Sequence, residues 1–247
     1  VMKVLPSNAM YAGYAAREAN VLSLLEGHPN IIQLRIAFIP DHPHSPPWLV
    51  TEFCNAGTLH NYISKAQSLP DLFIWHVFES LVEAPRYSHG GPVNGFASLW
   101  DPVSHRDIIP GNILLHKESQ GLDPVVKLAD WGCAVTKSET MMKGLPGKDL
   151  PEQDPCCIPP EGTMGSEAAD IYQVGLVIRH LLDSRACSNS FTMRPLRKYG
   201  DLGFFIDNCL SWLPDQRPRT AVLLEGLRHR TADLMSLGRL KYEELVM

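Results

Sequence analysis

The stretch SHRDIIPGNILLHK, residues 104 to 117, decides how the rest of the chain is read. Asp107 is followed by a Pro-Gly turn, then by the amide Asn112, then by an apolar run. An acid and an amide around such a turn, feeding an apolar strand, have the layout of a catalytic loop leading into a buried strand. Ile108 and Ile109 put two apolar side chains in the middle of this otherwise polar turn.

Working outward, VVKLAD (125–130) is a second short apolar run, and the spacing predicts that it pairs with NILLH (112–116) as a small ribbon. Upstream, VMKVL predicts a strand closed by Pro6, and residues 14 to 25 repeat apolar positions at helical spacing until Gly27 and Pro29 stop them. IIQLRIAFI and PWLVTEFC predict two strands joined by the polar turn DHPHSPP. Beyond Gly57 the pattern turns helical, at 59–66, 71–89, 169–182, 201–213 and 221–237. Residues 90 to 104 are dense in Gly and Pro and predict a surface loop tolerant of deletion. Residues 131 to 160 predict one long loop, a length that is usually functional or disordered.

The bulk numbers exclude several classes. In 247 residues, 45% are hydrophobic and 20% charged, as in an ordinary soluble globular protein. A net charge of -5 and a pI near 6.1 argue against a nucleic-acid or membrane-surface partner, which would need a basic face. The six cysteines are scattered, with Cys156 and Cys157 adjacent, and match neither a disulfide framework nor a zinc spacing. Reduced thiols, and so a cytoplasmic or nuclear location, are the expectation. No apolar run approaches the roughly 20 residues that span a bilayer, and the first residues lack the layout of a signal peptide.

HRDIIPGN, followed by a strand and then LADWG, resembles the paired catalytic loop and metal-binding loop of the protein kinases. The resemblance extends in order along nearly the whole chain. VMKV is similar to the family's lysine strand, REANVLSLLEGHPNIIQL to its glutamate-bearing helix and next strand, and WLVTEFCNAGTLHNYI to its hinge. CCIPPEG is similar to the end of the activation segment, ADIYQVGL to the helix with the family's buried aspartate (Asp170), and CLSWLPDQRPRTA to the region of its late arginine. Each motif alone is weak, since short motifs give many false matches; their shared order carries the resemblance.

That resemblance implies an α+β, two-lobe protein-kinase-like fold in one domain over residues 1–247, with an incomplete β-rich lobe (1–53) and a hinge and helical lobe (54–247). It implies ATP and magnesium as cofactors and a protein substrate, with Asp107 catalytic. Nucleotide contacts are implied at Lys3, Glu18, Glu52, Cys54, Asn112 and Asp130, with Asn112 and Asp130 as metal ligands and Thr51 as gatekeeper. The chemistry suits these types: phosphoryl transfer asks for positioning and charge neutralisation, and magnesium prefers hard oxygen ligands. Trp131, in place of the usual phenylalanine, should still pack beneath the glutamate-bearing helix. Glu161 and Arg217 are implied to form a buried structural ion pair. Singly, the same residues have plainer roles: Lys3 a solvated edge charge, Glu18 a helix surface charge, Asp107, Asn112 and Asp130 turn formers, Cys54, Cys156 and Cys157 packing residues.

Three departures qualify the implied activity. Ile109 replaces the lysine that serine/threonine kinases hold against the transferring phosphate, and Asp154 stands where their substrate-loop threonine falls. The pattern GxGxxG is absent from the 247 residues, and the chain starts at the lysine strand, as a kinase domain truncated before it would. Three readings therefore stand side by side: an impaired serine/threonine kinase, a pseudokinase that binds nucleotide or a partner, and a truncated kinase-like product.

Overall fold

The computed structural model describes residues 1–7, 9–41, 45–65, 69–92, 99–119, 123–142, 153–163, 165–184 and 196–242. Three strands, β1 (Met2–Val4), β2 (Leu34–Phe38) and β3 (Trp48–Thr51), form an antiparallel sheet in the order β1-β3-β2, with Lys3 opposite Leu49. Helix α1 (Ala9–Leu24) covers one face of it, pressing Ala15 and Ala19 onto Leu49. The helix starts five residues before the position that periodicity predicts. It stops before Gly27, whose φ of +86° lies in the left-handed region.

The run IIQLRIAFI is divided between two structures. Only its second half enters the sheet. Ile31 instead bridges to Leu128, and Ile32 N donates to Leu128 O at 3.0 Å. The side chain of Gln33 donates to the carbonyls of His28 and Ile31, which turns the chain away from the sheet at that point.

The helical part comprises α2 (Leu59–Lys65), α3 (Asp71–Gly90), α4 (Lys137–Met142), α5 (Glu167–Ser184), α6 (Gly200–Cys209) and α7 (Thr220–Ser236). Helix α3 lies at the centre of the large core, burying Phe73, Ile74, Val77 and Phe78 among Ile171, Val174 and Ile178 of α5 and Leu227 of α7. Between α3 and α5, β5 (Ile113–His116) and β6 (Val125–Leu128) form the expected antiparallel ribbon, with Ile113 opposite Leu128.

Two predicted loops are more structured than expected. Val103–Ser104 (β4) is buried and pairs with Val135–Thr136 (β7). The indole of Trp100 donates to Ser88 O at 2.9 Å, and an added Cβ on Gly91 would meet that ring at 2.7 Å. The end of the 90–104 segment is therefore not a tolerant surface loop. The 131–160 segment contains a 3-10 turn (Trp131–Cys133), β7, α4 and a second turn (Pro155–Cys157); residues 143–152 lie outside the described residues. Thr136 and Glu139 cap α4 reciprocally, a local signature that apolar periodicity does not register.

Candidate active site

The β5–β6 ribbon sets the site. The ribbon ends with Asn112 facing Ala129, the residue before Asp130, and Ala129 N donates to Asn112 O at 2.8 Å. Asp130 adopts the left-handed region (φ 59°), which aspartate tolerates better than most residues. Gly132 follows, and a Cβ there would stand 3.3 Å from Asp130 Oδ1 and 3.6 Å from Glu18 Oε2, so the chain approaches both carboxylates closely. Trp131 is fully buried and its turn packs against α1, as the apolar role implies. Its ring meets that of His105 edge-on at 4.5 Å.

Lys3 joins the two parts of the molecule. Its Nζ lies 2.9 Å from Glu18 Oε2 and 2.7 Å from Asp130 Oδ1. Lys3 and Asp130 are 40% and 45% exposed, whereas Glu18 is 5% exposed, so the ammonium reaches from a buried carboxylate to an open one. Burial opposes the Lys3 charge, but the carboxylates of Glu18 and Asp130 outweigh it and hold its pKa above the ordinary lysine value. Burial pushes Glu18 up, and Lys3 offsets only part of that.

The loop that bears Asp107 hangs on α5. The carboxylate of Asp170, completely buried, accepts from His105 N and Arg106 N at 2.9 Å each and meets His89 Nε2 at 2.8 Å. Gln173, one turn further on, accepts from Ile108 N at 3.0 Å and donates to Arg106 O at 2.7 Å. Sequence reasoning passed over Gln173 and His89. The available signal was a polar pair, 170 and 173, on one face of an otherwise apolar helix. His105 spans the two loops, with Nδ1 facing Asp107 N at 3.2 Å and Nε2 facing Ala129 O at 3.1 Å. Since Nδ1 must accept, the ring is neutral, and burial likewise lowers its pKa.

Asp107 is nearly saturated with donors. Its Oδ2 accepts from Asn112 Nδ2 at 2.9 Å, and the same amide donates to Asp107 O at 2.9 Å. Its Oδ1 accepts from Asp154 N at 3.1 Å and from the Cys157 thiol at 3.5 Å. Asp154 thus meets the implied catalytic acid through its backbone. The Cys157 thiol has one proton for Asp107 Oδ1 and the nearer Asp154 O, 3.1 Å away; burial and the Asp107 charge push the thiol well up, so it stays protonated.

Of two implied nucleotide contacts, one has another side-chain partner and one is buried in the core. The Glu52 carboxylate pairs with Lys127 at 2.8 Å and accepts from Gln33 N at 2.9 Å, which ties the hinge to β6. Cys54 is buried in the large core, and burial pushes its thiol up to about 11. Any hinge contact from either would come from the backbone. Thr51 sits at the end of β3, with its N–H bonded to Val1 O.

Asn112 gives its amide nitrogen to Asp107, which leaves Oδ1 as its side-chain acceptor, and Asp130 adds a half-exposed carboxylate. These are hard oxygen donors suited to magnesium. Among the described residues, no group of three or more His, Cys, Asp or Glu side chains forms a metal-binding cluster. Two protein oxygens suit an ion that retains waters and substrate oxygens. No helix among the described residues is long and apolar enough to cross a membrane.

Residues 1–195 match the family model described as a protein kinase domain. The chain is 27% identical over 169 residues to the "Probable serine/threonine-protein kinase zyg-1" of Caenorhabditis briggsae, covering 67% of this chain and 21% of that protein. It is 29% identical over 244 residues to the G2-specific protein kinase nim-1 of Neurospora crassa, covering 84% and 27% respectively. It is 26% identical over 232 residues to the serine/threonine-protein kinase PkaA of Streptomyces coelicolor, covering 86% and 38%. The chain therefore spans well under half the length of these relatives.

Proposed function

The chain belongs to the protein kinase family, and we propose that it transfers the terminal phosphoryl group of ATP to a serine or threonine hydroxyl of a protein, at a low rate. The observation that carries this reading is Lys3, bonded at once to Glu18 on α1 and to Asp130 beside the catalytic loop. Relatives named as serine/threonine kinases support the hydroxyl class.

In this reading Lys3 keeps Glu18 and turns from Asp130 toward the nucleotide phosphates. Asp130 and Asn112 Oδ1 would hold magnesium, which supplies neutralisation of phosphate charge when bound. Asp107 orients the substrate hydroxyl and receives its proton as the new oxygen–phosphorus bond forms and ADP leaves. For that, Asp107 Oδ1 must exchange the Cys157 thiol or the Asp154 N–H for the hydroxyl. Ile109 places no cation beside the transferring group, and this is the reason for a low rate.

A second reading, nucleotide binding without transfer, is favoured by Ile109 and by the occupied Asp107. Magnesium-dependent nucleotide binding, measured alongside autophosphorylation, separates the two. The kinase reading expects slow phosphate incorporation that disappears in Asp107→Asn while nucleotide binding persists. Binding without incorporation, or incorporation unchanged in Asp107→Asn, supports the second reading.

A further inference from the structure

Asp154 adjoins Asp107, its N–H donating to Oδ1 at 3.1 Å, and among the described residues no lysine, arginine or histidine pairs with either carboxylate. The nearest cations are engaged elsewhere. Lys3 is bonded to Glu18 and Asp130, and the buried Arg106 donates to Thr163 O at 3.0 Å and Cys133 O at 2.8 Å. Of the two isoleucines after Asp107, Ile108 is buried in the core, whereas Ile109 is half-buried and brings an apolar side chain to the turn that its carbonyl closes with Asn112 N.

The turn at 154–157 borders solvent. Asp154 is half-buried, and Pro155 and Cys156 are exposed. One carboxylate oxygen of Asp154 accepts from Cys156 N at 2.8 Å, which fixes the side chain. Just before it, Gln153 is buried, and its Oε1 has no hydrogen-bond partner among the described residues. A buried acceptor left without a donor is unfavourable. Two successive residues thus offer an unpaired carboxylate and an unsatisfied amide oxygen beside Asp107.

We propose that Asp154 selects a protein substrate with an arginine or lysine next to the acceptor serine or threonine, and that this side chain supplies the positive charge that Ile109 does not. The proposal deepens the kinase reading and rests on it. The acceptor hydroxyl has to come within about 3 Å of Asp107, and the Asp154 amide already touches that carboxylate. Adjacent residues lie about 3.8 Å apart, so a basic residue one or two places from the acceptor falls within a side chain's length of Asp154. Unpaired, the Asp154 carboxylate repels the anionic phosphoryl group; paired, it no longer does. A guanidinium has five N–H donors, enough for Asp154 and for the Gln153 amide oxygen.

The test uses three synthetic peptides that differ only in the residues flanking one serine: arginine, alanine or glutamate. Dissociation constants, with magnesium and a non-hydrolysable ATP analogue, and rates of phosphate incorporation are measured for the whole chain and for Asp154→Asn and Ile109→Lys. Asparagine keeps an oxygen for Cys156 N, so the turn survives, and a preference between peptides is a readout that a structural role alone would not move. The arginine peptide should bind about tenfold more tightly than the alanine peptide, as expected of a close charge pair across an interface, and the glutamate peptide least tightly. Asp154→Asn should remove most of that difference. In Ile109→Lys the alanine peptide should gain more in rate than the arginine peptide, because the chain then provides its own cation. Equal or undetectable binding of the arginine and alanine peptides by the unaltered chain overturns the proposal. So does a preference that survives Asp154→Asn, or an equal gain for both peptides in Ile109→Lys. If the arginine peptide binds preferentially through Asp154 while no peptide is phosphorylated, the pairing stands and the kinase reading fails.

Discussion

The guanidinium of Arg217 holds Glu161, 56 residues earlier, in a two-pronged pair, with Nη1 2.6 Å from Oε1 and Nη2 2.7 Å from Oε2. The pair is asymmetric. The Arg217 side chain is 0% exposed and Glu161 is 23% exposed, so the pairing implied by the sequence is buried on one side only. Arg217 also donates to Ser211 O and Ala168 O and lies 4.7 Å over the ring of Tyr172. It thereby ties the stretch around Glu161 to α5 and to the turn before α7.

Arg217→Ala leaves Glu161 and two carbonyls without their partner. Removing one member of a buried pair costs about 3 to 5 kcal/mol, and the partial exposure of Glu161 puts the expected loss near the lower figure. For a chain of this size that is roughly 6 to 12 °C in Tm. Thermal unfolding that matches the parent protein would show that the pair contributes nothing to stability.

Ile109→Lys places a cation two residues after Asp107. A single preorganised charge contributes about a hundred- to a thousandfold to a transition state that develops charge. Phosphate incorporation should rise by up to that factor while nucleotide affinity changes little. An unchanged rate would place the defect elsewhere, first in the donors that occupy Asp107.

Acid should destabilise the fold in the histidine range. Burial lowers His28 from 6.5 to about 4, and its Nδ1 faces Asn30 N at 3.2 Å, a bond that needs the neutral ring. Burial lowers His105 as well. A depressed folded pKa means that the unfolded chain binds more protons, so this stability is complete above about pH 6.5 and is lost as pH falls toward 4. His28 contributes up to about 1.4 kcal/mol per pH unit in that window, and His105 adds in the same sense. Glu18, whose pKa is raised, acts in the opposite sense just above 4.5. Denaturant midpoints should fall between pH 7 and pH 5, and equal midpoints would contradict neutral burial of the rings.

Gly91→Ala should destabilise the protein although it lies in a segment that reads as a loop. Its φ of +75° penalises any side chain, and the new methyl would meet the Trp100 ring. The expected loss is at least about 1 kcal/mol, or roughly 2 to 4 °C in Tm. Trp100→Ala combined with Gly91→Ala removes the overlap and should leave only the backbone penalty of the glycine change. If Gly91→Ala costs as much in the Trp100→Ala background as alone, the ring contact is not responsible.

Features encoded by near neighbours were legible in the chain itself. The β5–β6 ribbon, the Pro-Gly turn between Asp107 and Asn112 and the body of α1 follow from alternation, turn chemistry and helical spacing over a few residues. The ordered motifs also singled out Lys3, Glu18, Asp107, Asn112 and Asp130; the fold joins Lys3 to Glu18 and Asp130, and Asn112 to Asp107. Several other side-chain partners were not legible. Glu52 is occupied by Lys127, Asp107 by Cys157 and Arg17 by Glu139, the last pair 122 residues apart. A charge or a thiol has no periodicity of its own, and its partner is whichever group the packing of α1, β6 and the 153–157 turn leaves within about 3 Å. Local sequence encodes the elements; the closeness of distant side chains, and with it the state of the cleft, arises only when those elements pack.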